Sequence, residues 1–135
     1  MSMILLDYPQ LAQDFMNREH ETFVNLMIEA EDALLMGRFT VQHFRRLVQH
    51  SQEHFAHEER EMLAHHFPAY PMHKQEHERV LATMISLLEG YEDDQNILPL
   101  LNYVQEVLPD WFAGHITSMD KVTAEFLARQ KISAA

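Results

Sequence analysis

The chain has 135 residues, 47% of them hydrophobic, the size of one domain (1–135) that can bury a full core without staples. It has no cysteine, which excludes disulfides, thiolate zinc sites, iron–sulfur clusters and a cysteine nucleophile, so any metal must be held by histidine and carboxylate. A net charge of −11 with no basic run argues against nucleic acid or an anionic membrane as partner, and the acidity is expected to serve solubility.

The periodicity predicts a first helix from Leu11 to Met36, stopped by Gly37, with an apolar stripe of Met16, Phe23, Val24, Met27 and Leu34. His20 lies on that stripe and should face inward. A lone inward histidine is ordinarily a hydrogen-bonded core residue, and only its neighbours can change that reading. Thr40 is the expected N-cap of a second helix reaching about His65, with Phe44, Leu47, Val48, Ser51, His54, Phe55, Glu58 and Met62 on one face. Glu58 is the informative residue there. A buried carboxylate costs several kcal/mol unless paired or metal-bound, and this face has no lysine or arginine. Glu59, Arg60 and Glu61 are expected to form a solvated surface.

Pro68 and Pro71 separate this helix from a third, predicted from Pro71 or Met72 to Glu89 with Gly90 as its stop. Its inward positions are His73, His77, Val80, Leu81, Met84 and Leu88. After the polar turn YEDDQN, a fourth helix carries Leu101, Val104, Leu108, Phe112, His115, Ile116, Met119, Thr123 and Phe126, with a kink or break expected at Pro109. His115 and Asp120 are five residues apart. An ideal α-helix would splay them by about 140° so that they straddle the inward face, a spacing that suits a ligand on one side of a site and a bridging carboxylate nearer its centre, which a local helix irregularity would help. Four helices with short turns predict an all-α, up-down-up-down antiparallel four-helix bundle. No apolar run nears the ~20 residues of a membrane span, and MSMILLDYPQ lacks the marks of a signal peptide, so cytoplasmic residence is expected.

Two ligand pairs, His54 with Glu58 and His73 with His77, have the i, i+4 spacing that stacks side chains on one helix face. With His20, His115 and Asp120 they make five imidazoles and two carboxylates from all four helices. Seven groups are too many for one tetrahedral ion, so two metals are implied, with iron, manganese or zinc suited to the mixed donor set.

This order, His20, then His54-x-x-x-Glu58, then His73-x-x-x-His77, then His115-x-x-x-x-Asp120, resembles the hemerythrin family in its single-domain bacterial form. The surroundings resemble it too: HFAHEEREM, AYPMHKQEH and WFAGHITSMDK match the family's HFxxEExxM, GYPxxxxH and WLxxHIxxxDK segments. The resemblance implies two iron ions in an oxo- or hydroxo-bridged centre that binds O2 reversibly and is not an enzyme. His73, His77 and His115 would hold one iron, His20 and His54 the other, with Glu58 and Asp120 bridging and an open position for O2 on the second iron. Phe23, Phe55, Trp111, Phe112 and Ile116 match the family's apolar O2 pocket, and they fit ordinary core packing equally well. Tyr70 matches the tyrosine of the GYP segment, whose glycine is Ala69 here. The segment before His20 is short and lacks the usual tryptophan, and Pro109 lies six residues before a ligand. The expected form is a monomer or weak homo-oligomer with O2 as its partner, and carriage, storage and delivery to an unidentified protein acceptor are all left open.

Other readings of the same residues are a di-iron redox enzyme, reducing peroxide or nitric oxide, and an O2 or redox sensor. HKQEH also fits the H-x-x-E-H pattern of a metallopeptidase class, but Glu76 is expected on a solvent-facing side and five ligands would go unexplained. The Glu-x-x-His motifs of a ferritin-like oxidase do not occur. His43, His50, His57, His65 and His66 fall toward polar neighbours and are expected at the surface.

Overall fold

The computed structural model describes residues 8–134, with side chains to residue 131, so most of the MSMILLDYPQ segment lies outside the described residues. The first three helices are α1 (Asp14–Leu35), α2 (Val41–Ala64) and α3 (Tyr70–Asp94). The fourth, α4, comprises the α-helical stretches Leu98–Asn102, Leu108–His115 and Lys121–Ala134, joined by π-helical segments at Tyr103–Val107 and Ile116–Asp120. Consecutive helices reverse direction, α1 packs on α2, α2 on α3, and α4 lies against α1 and α3, which is the up-down-up-down bundle. No helix among the described residues is long and apolar enough to cross a membrane.

Local chemistry explains where the boundaries differ from expectation. The first helix begins at Asp14 instead of Leu11, because the Asn17 side chain binds both the N–H and the carbonyl of Leu11 and holds that residue outside the helix. Gly37, at φ 72°, closes the first turn as expected. Thr40 precedes α2, and its N–H donates to Nδ1 of His43, which assigns that histidine to the cap. Gly90 does not stop α3, which continues to Asp94 and ends at Gln95 in the left-handed region. Gly90 is exposed, and a glycine in a helix costs only about 0.5–1 kcal/mol, too little to end it.

Pro109 does not break α4. In the π-helical segment before it, the Leu108 N–H bonds the carbonyl of Tyr103, five residues back. Pro109 then stands in the first turn of the next α-helical stretch, where a missing N–H is tolerated.

The core has two parts. Leu34, Phe44, Leu47, Met84, Leu100, Val104 and Leu108 belong to the larger one, and Phe15, Met16, Ala124 and Leu127 form a smaller one. On α1 His20 and on α4 Asp120 fall between these two groups, so the polar cluster has apolar packing on both sides.

Candidate metal centre

His20, His54, Glu58, His73, His77, His115 and Asp120 are all buried, and the bundle brings all seven together. They form two overlapping groups: Glu58, His73, His77, His115 and Asp120 on one side, and His20, His54, Glu58 and Asp120 on the other. Glu58 and Asp120 belong to both, one oxygen facing each way. Glu58 Oε1 lies 3.2 Å from His77 Nε2 and 3.7 Å from His73 Nε2, while Oε2 lies 3.0 Å from His54 Nε2 and 3.8 Å from His20 Nε2. Asp120 Oδ1 is 3.1 Å from Nε2 of both His73 and His115, and Oδ2 is 3.1 Å from His20 Nε2. The π-helical segment Ile116–Asp120 makes this possible. Its five-residue turn brings His115 and Asp120 onto one face, where an ideal α-helix would have them straddle it.

Bonds on the outer side of the rings fix how the imidazoles present themselves. His54 Nδ1–H donates to Glu19 Oε1 at 2.7 Å, and His77 Nδ1–H donates to Glu59 Oε2 at 2.9 Å. The Thr123 hydroxyl donates to the Met119 carbonyl, so its oxygen is free to accept the Nδ1–H of His73 at 2.8 Å. With the proton on Nδ1, each Nε2 turns a lone pair toward the carboxylates, which are themselves acceptors. His20 Nε2, His77 Nε2 and both oxygens of Glu58 are buried without a hydrogen bond despite these short distances. Converging lone pairs at 3.0–3.8 Å need cations between them, and the donor set of imidazole and carboxylate suits transition metals.

Without metal, protons serve as the cations. Burial opposes charge on His54, but the Glu58 carboxylate 3.0 Å away and the bond to Glu19 raise it to about 10. His77 is also raised: burial is outweighed by the Glu58 carboxylate 3.2 Å away and the bond to Glu59. Burial and the Asp120 charge push Glu58 upward, yet His54 and His77 hold it at about 2. Asp120, similarly buried, is held well below the usual carboxylate range by His115, His20 and His73.

Glu59, His50 and His57, expected at the surface, are tied into this assembly, and Glu76, also expected there, is held outside it. Glu59 holds His77 instead of facing solvent. Glu19 holds His54 with one oxygen and His57 with the other, and its carbonyl pairs with His50 Nε2 at 2.9 Å. Glu76 accepts the indole N–H of Trp111 at 2.7 Å. A helical wheel misses these carboxylates because they sit beside the inward stripe, at the seam between helices, where a long side chain reaches a neighbour's ring. Their one sequence signal is adjacency: Glu19 precedes His20, Glu59 follows Glu58 and Glu76 precedes His77. Tyr70 opens α3, with its N–H on the Phe67 carbonyl and the Lys74 ammonium over its ring, and so belongs to the turn. Replacing Glu19 with alanine is expected to weaken metal binding on the His20/His54 side by about 10–100-fold while sparing the other side. Stepwise chelator titration, followed by metal analysis, measures the two affinities separately, and equal losses on both sides would reject the selective role.

A small cavity adjoins the four-residue side, lined by His20, Phe23, His54, Phe55, Trp111, Phe112, His115 and Asp120, with about 10 Å³ open to the centre of a water-sized molecule. Phe23, Phe55, Trp111 and Phe112, four of the five residues matched to an apolar pocket by the resemblance, line it. Ile116 is fully buried in the larger core and does not line the cavity.

A four-helix bundle that gathers five imidazoles and two carboxylates in its core defines a metal-binding helical protein. The family model described as "Hemerythrin HHE cation binding domain" matches residues 11–127, and the chain belongs to the hemerythrin family. It is similar to the bacteriohemerythrin of Aquifex aeolicus (strain VF5), 27% identical over 115 residues, covering 84% of this chain and 88% of that protein. It is also similar to the bacteriohemerythrin of Ralstonia nicotianae, 28% identical over 109 residues, covering 81% of this chain and 74% of that one. No solved structure matches the chain significantly.

Proposed function

We propose that this protein is a single-domain O2 carrier or store that binds O2 reversibly at a pair of irons in the bundle core. The asymmetry of the cluster carries the reading: five side chains converge on one side, four on the other, and the apolar cavity adjoins the side with four. His73, His77 and His115 would hold one iron, His20 and His54 the other, and Glu58 and Asp120 would be shared. A reduced iron pair held there would supply the electrons for reversible O2 binding. Glu19, Glu59 and Thr123 keep protons on the outer nitrogens, so the inner lone pairs stay aimed. Phe23, Phe55, Trp111 and Phe112 present hydrocarbon and ring faces that exclude water. Walls of that chemistry favour holding O2 over protonating it, which supports a carrier over a peroxide- or nitric-oxide-reducing enzyme.

The test is anaerobic reduction of the purified protein, then admission of O2, with the visible spectrum and iron content recorded together. Two irons per chain and a charge-transfer band that comes and goes with O2 are expected. Two irons with immediate, irreversible oxidation would shift the reading to a redox enzyme or sensor, and a chain that takes up no iron would overturn it.

A further inference from the structure

A second, outer cavity approaches the inner one from the bundle surface, lined by Glu76, Asp110, Trp111, Gly114, His115, Ser118 and Met119. Trp111 and His115 line both. His115 is fixed by the cluster, with Nε2 at 3.1 Å from both Asp120 and His73. Of the two residues that line both cavities, Trp111 is the one not tied into the cluster. It is only partly buried, stacks on His115 with ring centres 4.5 Å apart and planes at 19°, and meets Phe55 edge-on at 6.1 Å. Its polar bond runs across the groove from α4 to α3, where Nε1–H donates to Glu76 Oε1. Glu76 is itself clamped by two hydrogen bonds from the Arg79 guanidinium.

From this arrangement we infer that Trp111 is the gate through which small ligands reach the inner cavity, and that Glu76, held by Arg79, is the latch that keeps it shut. The inference rests on the proposed O2 site for its biological ligand, though the gate itself is a property of the indole and its latch. Stacking and edge contacts hold an aromatic ring only weakly against rotation. The charge-assisted bond to Glu76 is directional and stronger, so it sets how often the gate opens. A latch acts on passage and not on the bound state. Removing it should speed admission and escape equally and leave affinity unchanged.

The experiment uses Glu76→Ala with Glu76→Gln as its conservative partner, since the amide oxygen can still accept the indole hydrogen. In the iron-loaded protein, stopped-flow rates of azide binding and release are expected to rise about tenfold in Glu76→Ala, the change that follows from roughly 1.4 kcal/mol of lost latch bond. Glu76→Gln should restore most of the wild-type rate. Trp111 is the only tryptophan in the chain, so its fluorescence gives an independent readout in protein loaded with redox-inert zinc. Acrylamide quenching should increase in Glu76→Ala, while melting temperature and metal content stay near wild type. Unchanged azide rates and unchanged quenching would overturn the gate while leaving the O2 reading intact. Faster azide exchange in a protein that never binds O2 reversibly would keep the gate and reject the O2 reading. A change in affinity or metal content without a parallel rise in both rates would make Glu76 a structural residue and reject the latch.

Discussion

Glu58→Ala is expected to lower the metal content of the protein from two ions per chain to fewer than one. Each Glu58 oxygen faces a different half of the cluster, so a single truncation takes one ligand and shared negative charge from both. The five-residue group falls to four and the four-residue group to three. Asp120→Ala should behave the same way, since Oδ1 and Oδ2 divide between the halves as well. Substitutions confined to one half give the contrast. His54→Ala should release the ion on its own side first, and His77→Ala the ion on the other. Metal analysis after equilibrium dialysis, read beside the visible spectrum, distinguishes the shared residues from the rest. Full metal content and an unchanged spectrum in Glu58→Ala would sink the shared role.

The same residues show which parts of this protein can be read from its sequence. Helix periodicity alone placed His20, His54, Glu58, His73 and His77 on inward faces, because an α-helix converts spacing directly into direction. His115 and Asp120 were harder, since α-helical geometry sends them apart and only the π-helical turn brings them together. The spacing alone fitted a straddling pair, and neither the need for a widened turn nor its form was legible there. At Pro109 the reverse held. Proline forbids a regular hydrogen-bond ladder but does not say whether the chain will break, kink or widen a turn upstream, as it does at Tyr103–Val107. Gly90 was misleading because a C-terminal signal and an unremarkable exposed glycine have the same letter, and packing of Leu87, Leu88 and Tyr91 against the core decides between them. The carboxylates that hold the rings from outside were the least legible. Glu19 and Glu59 look like surface residues on their own helices, and their role appears only when the neighbouring helix is in place.

Proton-for-metal exchange at these rings predicts that the metal-free and metal-loaded forms will respond to pH in opposite directions. In the metal-free protein the folded values of His54, at about 10, and His77 lie above the ordinary 6.5. Groups raised on folding contribute stability that is fully present below their unfolded value and is lost as pH rises through the folded one. Glu58, at about 2, and Asp120 are lowered instead, so their contribution is present above the usual carboxylate range and is lost as pH falls through their folded values. The metal-free bundle should therefore be most stable between roughly pH 4.5 and 6.5, and its melting temperature should fall steadily from there toward pH 10. Metal ions bind the deprotonated nitrogens, so their affinity rises over that same interval as protons cease to compete. By mass action a tighter ligand adds more stability, and the melting temperature of the loaded protein should hold or climb where that of the metal-free protein declines. The gap between the two melting curves is expected to widen continuously from pH 6 to pH 9. Calorimetry on matched samples across that range measures it, and a metal-free form that grows more stable above pH 6.5 would show that protonated histidines do not stand in for the ions.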